Sequence, residues 1–81
     1  MLRARVAKAL RSWVSRLQVI VEQAQQRGET LRGVDSKALA TLIVASLEGA
    51  LMMSRLQRND EPLRRVQSHL SRYLEREVAA S

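Results

Sequence analysis

The sequence predicts an all-α chain of three helices. Apolar residues recur at spacings of three and four in the first and last thirds, the period of a helix with one buried face. Helix-breaking clusters fall near residues 28–35 and 59–62, and so divide the 81 residues into three segments. One Trp and one Tyr, with no Phe, leave little aromatic material for strands.

The first helix is read from about residue 2 to 27. Val6, Leu10, Trp13, Leu17, Ile20 and Ala24 form its apolar stripe, widened by Val14 and Val21. Arg5, Lys8, Ser12, Ser15, Arg16 and Gln26 lie on the opposite arc. Gly28 follows Arg27 and suits a left-handed helix stop. Residues 28–34 then read as a short loop with no internal period.

Asp35 is placed to cap the second helix, read over 36–58, by accepting from backbone amides two or three residues on. Residues 38–53 carry one charge, Glu48. A helix this apolar on all sides must be covered on nearly every side. Polar groups form only a narrow line, Lys37, Thr41, Glu48 and Arg55. Gly49 costs about 1 kcal/mol relative to Ala in a helix interior, and close approach of a neighbouring helix is a physical reason for it. Glu48 either faces water beside Thr41 and Arg55 or pairs with an arginine from another helix or subunit.

The segment Asn59-Asp60-Glu61-Pro62 reads as a break and restart. Asp60 is expected to cap, Glu61 suits the positive end of the helix dipole, and Pro62 is tolerated in the first turn. The third helix is read over 61–78, with Leu63, Val66, Leu70, Tyr73 and Leu74 on one face. Glu61 and Arg65 form an i, i+4 pair in the favoured order. The tail from Val78 to Ser81 is expected to fray.

Composition narrows the chemistry. The net charge is +6 and there is no cysteine. Residues 1–27 hold six basic side chains against Glu22, whereas residues 59–81 balance. His69 has no cysteine or carboxylate at helical spacing, so no metal site is expected. The serines lack a base and an orienting group, and no phosphate-binding glycine loop occurs; no enzyme and no cofactor are implied. The run 38–53 falls short of a membrane span and contains Glu48, and no secretory signal is evident, so a cytoplasmic protein away from membranes is expected.

Taken in order, the segments Ala24-Gln25-Gln26-Arg27-Gly28-Glu29, Val34-Asp35-Ser36-Lys37-Ala38-Leu39-Ala40, Leu47-Glu48-Gly49-Ala50-Leu51-Met52-Met53 and Pro62-Leu63-Arg64-Arg65-Val66 with His69-Leu70 and Tyr73-Leu74 resemble the C-terminal part of TetR/AcrR-type transcriptional regulators. The likeness covers Trp13 to Leu74. It implies that residues 1–81 form a single C-terminal regulatory and dimerisation domain, a piece of a longer regulator. In that family an N-terminal helix-turn-helix domain binds operator DNA, while C-terminal helices bind a small effector and dimerise. By resemblance the second and third helices build a four-helix bundle with a second subunit. No helix-turn-helix pattern occurs in these residues, so specific DNA binding by this chain alone is not expected.

The dimer interface is expected to draw on Leu47, Glu48, Gly49, Leu51, Met52, Leu63, Val66 and Leu70. Burying a Leu or Met side chain is worth about 1.5–3 kcal/mol, so four or five per subunit would offset much of the roughly 4–15 kcal/mol cost of association. Trp13, Leu17 and Met53 are candidates for the wall of a pocket that takes a small lipophilic effector. A rival reading is a small basic protein that binds nucleic acid non-specifically through Arg5, Lys8, Arg11 and Arg16. A third is a module that docks its apolar helix on an unrelated protein.

Overall fold

The computed structural model describes residues 2–80. Helix α1 spans Leu2–Gln26, α2 spans Ser36–Gln57 and α3 spans Glu61–Tyr73, followed by a π-helical turn over Leu74–Val78. The three predicted helices are therefore present, with the last one ending earlier than 78 as an α-helix.

The ends of the helices follow from local chemistry. Gly28 adopts φ +71° and its N–H donates to the Gln25 carbonyl at 3.0 Å, while the Glu29 N–H reaches back to Ala24 at 2.9 Å. The Asp35 carboxylate accepts from the Ala38 N–H at 2.9 Å, one of the otherwise orphaned amides of a helix start. At the far end of α2, Arg58 takes the left-handed conformation and donates to the Arg55 carbonyl at 3.3 Å.

The start of α3 corrects an expectation. Asp60 makes no side-chain cap; it pairs instead with Arg64 at 3.1 Å. The capping is shared by Asn59, whose Oδ1 accepts from the Glu61 N–H at 2.8 Å, and Ser54, whose Oγ accepts from the Leu63 N–H at 3.1 Å. A serine inside α2 thus holds the first turn of α3, which fixes the angle between the two helices. Glu61 and Arg65 form the expected pair, at 2.7 Å.

The tail corrects another over residues 78–80, Ser81 lying outside the described residues. Val78 is buried, Thr30 and Ala79 form an antiparallel bridge, and two bonds flank it: Leu31 N–H to the Val78 carbonyl at 2.7 Å, and Ala80 N–H to the Glu29 carbonyl at 2.8 Å. The wider π turn lets the chain leave the axis of α3 and lie along the α1–α2 loop. Gln25 secures the same loop by donating to the Val34 carbonyl at 2.7 Å.

Packing is thin. Helix α2 touches both α1 and α3, and α1 and α3 do not touch each other. The chain is a layer of 39 × 30 × 14 Å. Its radius of gyration is 14.2 Å, against about 12 Å for a compact chain of this length. Its accessible surface is 6597 Å², about a third more than a globular monomer of this mass exposes. The core gathers at one end, where Val21, Leu39 and Val78 meet under Val34, Ile43 and Leu74. Among the described residues only alanines, Ala40 and Ala50, come within 2% of full burial.

Candidate functional site

The candidate site follows from how α2 is covered. Leu39, Ala40, Ala50 and Ser54 are buried, and Ile43, Val44, Leu47 and Leu51 are half-buried beside them. These residues share the side that meets α1 and α3. The other side of α2 presents Ala38, Leu42, Ala45, Gly49, Met52 and Leu56, all exposed. Their spacing is 4, 3, 4, 3, 4, so they form one straight ridge. Its large members stand well clear of the layer: Met52 is 62% exposed and Leu56 is 78% exposed. No charged side chain falls in the ridge.

Shallow hollows flank it at both ends. One, of about 370 Å³, lies between the α1–α2 loop and the π turn; Ala38, Leu39, Leu42, Tyr73 and Val78 give it apolar walls, and Arg32, Asp35 and Glu77 give it charge. Another, of about 420 Å³, is bounded by Val6 and Leu10 of α1 and by Gly49, Leu51, Met52 and Leu56 of α2, with Glu48 and Arg55 also lining it. A Cβ built on Gly49 would meet nothing within 4 Å. No neighbour inside the chain accounts for this glycine.

The expected interface residues are thus divided. Gly49 and Met52 lie on the open ridge. Leu47 and Leu51 turn toward the layer, and Glu48 sits half-buried at the groove with Val6 and Leu10. Leu63, Val66 and Leu70 are half-buried on the single apolar stripe of α3. The sequence reading missed Ala38, Leu42, Ala45 and Leu56. The 4-3-4-3-4 spacing was there to find them, but α2 is apolar in nearly every direction, so the ridge has no contrast.

The three candidates for an effector wall are less closely grouped. Trp13 is 46% exposed and Met53 is 50% exposed, with Leu17 half-buried. Trp13 and Leu17 share the stripe of α1, but it is Met52, not Met53, that joins the groove beside Val6 and Leu10. Met53, one residue on, points about 100° away around the helix. On α1, Arg5, Lys8, Arg11 and Arg16 are exposed. Trp13 and Tyr73, the two aromatics, lie off that arc and offer it no stacking platform.

At 22 residues α2 is long and apolar enough to cross a membrane by length and composition. The sequence reading weighed only the charge-poor run 38–53 against a membrane span, although it placed the helix itself over 36–58, close to the observed Ser36–Gln57. Glu48 would then lie near the hydrocarbon centre, where a carboxylate is costly.

The geometry is thus a thin helical layer whose central helix keeps an apolar ridge uncovered within the chain. The chain belongs to the family described as Tetracyclin repressor-like, C-terminal domain, which it matches over residues 1–70. This is a family of transcriptional regulators, not of enzymes. The chain is 30% identical over 61 residues to the HTH-type transcriptional repressor DhaR of Mycobacterium sp. (strain GP1), covering 75% of this chain and 31% of the repressor. The crystal structure of a TetR transcriptional regulator from Chloroflexus aurantiacus J-10-fl superposes with a TM-score of 0.90 at 34% identity, covering 100% of this chain and 41% of that one. The chain therefore spans less than half the length of either relative, and what it resembles there is the effector-binding and dimerisation region of a TetR-type regulator.

Proposed function

We propose that this chain works as a homodimerisation and effector-responsive region, in which a second copy covers the ridge of α2. The observation that carries this reading is the exposed ridge of six uncharged residues between Ala38 and Leu56. The α2 and α3 helices of the two copies then form a four-helix bundle. In a regulator of this type the bundle sets the relative placement of two DNA-reading heads, and an effector acts by shifting that placement. Leu63, Val66 and Leu70 are the residues of α3 that extend the bundle. Trp13 and Leu17 on α1 are the proposed contacts for a small lipophilic effector, with Met53 reaching it only from another side of α2 than the groove beside α1, and the expected compartment is the cytoplasm. Glu48, near the middle of α2, favours a protein partner for the ridge over lipid.

The test is a graft. A helix-turn-helix head that binds a two-half-site operator only as a dimer is joined to the N-terminus of the chain. Operator binding is expected to return, and to be lost when Leu42 and Leu56 are both changed to Asp. A graft that binds no better than the isolated head would refute the reading.

A further inference from the structure

We infer that the two copies meet with their α2 helices antiparallel, about a two-fold axis beside residue 47. This rests on the homodimer proposed above and adds its register. The ridge supports it in three ways. First, an axis at this point pairs each ridge residue with the one whose number makes the same total: Ala45 with Gly49, Leu42 with Met52, and Ala38 with Leu56. The smallest pair falls at the axis, where crossing helices are closest, and the larger side chains fall where they diverge. Open space over Gly49 is then occupied by the partner, which accounts for a glycine that nothing within the chain requires.

Second, the ends of the ridge differ in shape. Leu56 projects at 78% exposure. Ala38, its counterpart, sits beside the hollow of about 370 Å³ that Leu42, Tyr73 and Val78 also line. Only the antiparallel register brings the projecting leucine of one copy to the hollow of the other. A parallel register sets Leu56 against Leu56 and hollow against hollow.

Third, charge follows the same direction. The C-terminal end of α2 carries Arg55 and Arg58, with the nearby Asp60 and Glu61 already paired to Arg64 and Arg65, whereas the N-terminal end carries Asp35 and Glu77 against Arg32 and Lys37 and is neutral. Antiparallel helices bring the basic end of each copy to this neutral end of its partner and oppose the helix dipoles. Parallel helices would set the arginines side by side.

The chain contains no cysteine, so introduced thiols report without background. Ala38→Cys and Leu56→Cys chains, one carrying a mass tag, are mixed and treated with a short thiol cross-linker. The mixture is expected to give a band of one tagged plus one untagged chain, which each variant alone lacks. In this register two copies of residue 38 are about 27 Å apart along the helices, beyond a short linker. Leu42→Cys with Met52→Cys repeats the test should the first pair lose helicity. Self-cross-linking of Ala38→Cys alone, or a sedimenting dimer that cross-links in neither mixture, overturns the register and leaves the homodimer standing. A parent chain that sediments as a monomer overturns both.

Discussion

Changing Met52 to Asp is expected to convert the dimer to a folded monomer and to weaken self-association by at least about a thousandfold. Met52 is 62% exposed in the chain, so its own layer scarcely depends on it. In the proposed dimer each Met52 lies against Leu42 of the partner subunit, and the two-fold axis applies the change twice. Losing two buried Met side chains removes about 3–6 kcal/mol. Two desolvated carboxylates without partners add several kcal/mol more. At about 1.4 kcal/mol per factor of ten, the lost Met burial alone weakens association by at least about a hundredfold, and the buried carboxylates carry the sum past about a thousandfold. Sedimentation velocity with circular dichroism on the same sample is the check. An unchanged dimer, helical and of unaltered affinity, would remove Met52 from the interface. Leu51 is less suited to this test, because it lines the groove against Val6 and Leu10 and its loss also disturbs the monomer.

The second large effect is on stability. Leu39→Ala is expected to lower the melting temperature by about 10–30 °C when measured in the monomeric Met52→Asp background. Leu39 is 6% exposed and packs with Val21 and Val78, joining α1, α2 and the π turn at the one end that has a core. Truncating a buried leucine costs about 2–5 kcal/mol, and 1 kcal/mol shifts a domain of this size by about 4–8 °C. A shift of only a few degrees in thermal unfolding followed by circular dichroism would show that the core lies elsewhere. The same site explains why the tail is ordered: Val78 supplies a third of that cluster, and the bridge at Thr30 and Ala79 holds it there.

Much of the fold was legible because its signals are local. Gly28, Asp35 and the Glu61–Arg65 pair each act within four residues, and each is found in its expected role. The errors arose where the deciding contact is distant in sequence. Asp60 has the composition of a cap, but Ser54 from α2 and the neighbouring Asn59 take the amides. The tail reads as loose because its partner, the loop around Thr30, is almost fifty residues away. The ridge was hidden for a different reason. On α3 polar and apolar faces contrast sharply, so its direction could be read; on α2 they do not, and only the packing of α1 and α3 shows which side is left over. Leu47 and Leu51 were therefore grouped with Gly49 and Met52, although the two pairs face different ways.

These observations reduce to a physical claim: α2 has more apolar surface than two neighbouring helices cover. Sedimentation equilibrium of the unmodified chain over a hundredfold dilution tests it most directly. The expected mass is twice the 9.2 kDa of the chain at the concentrated end, falling toward one copy on dilution, with no higher species. A single mass of 9.2 kDa at every concentration, from a chain whose helicity matches the three helices described, would contradict it.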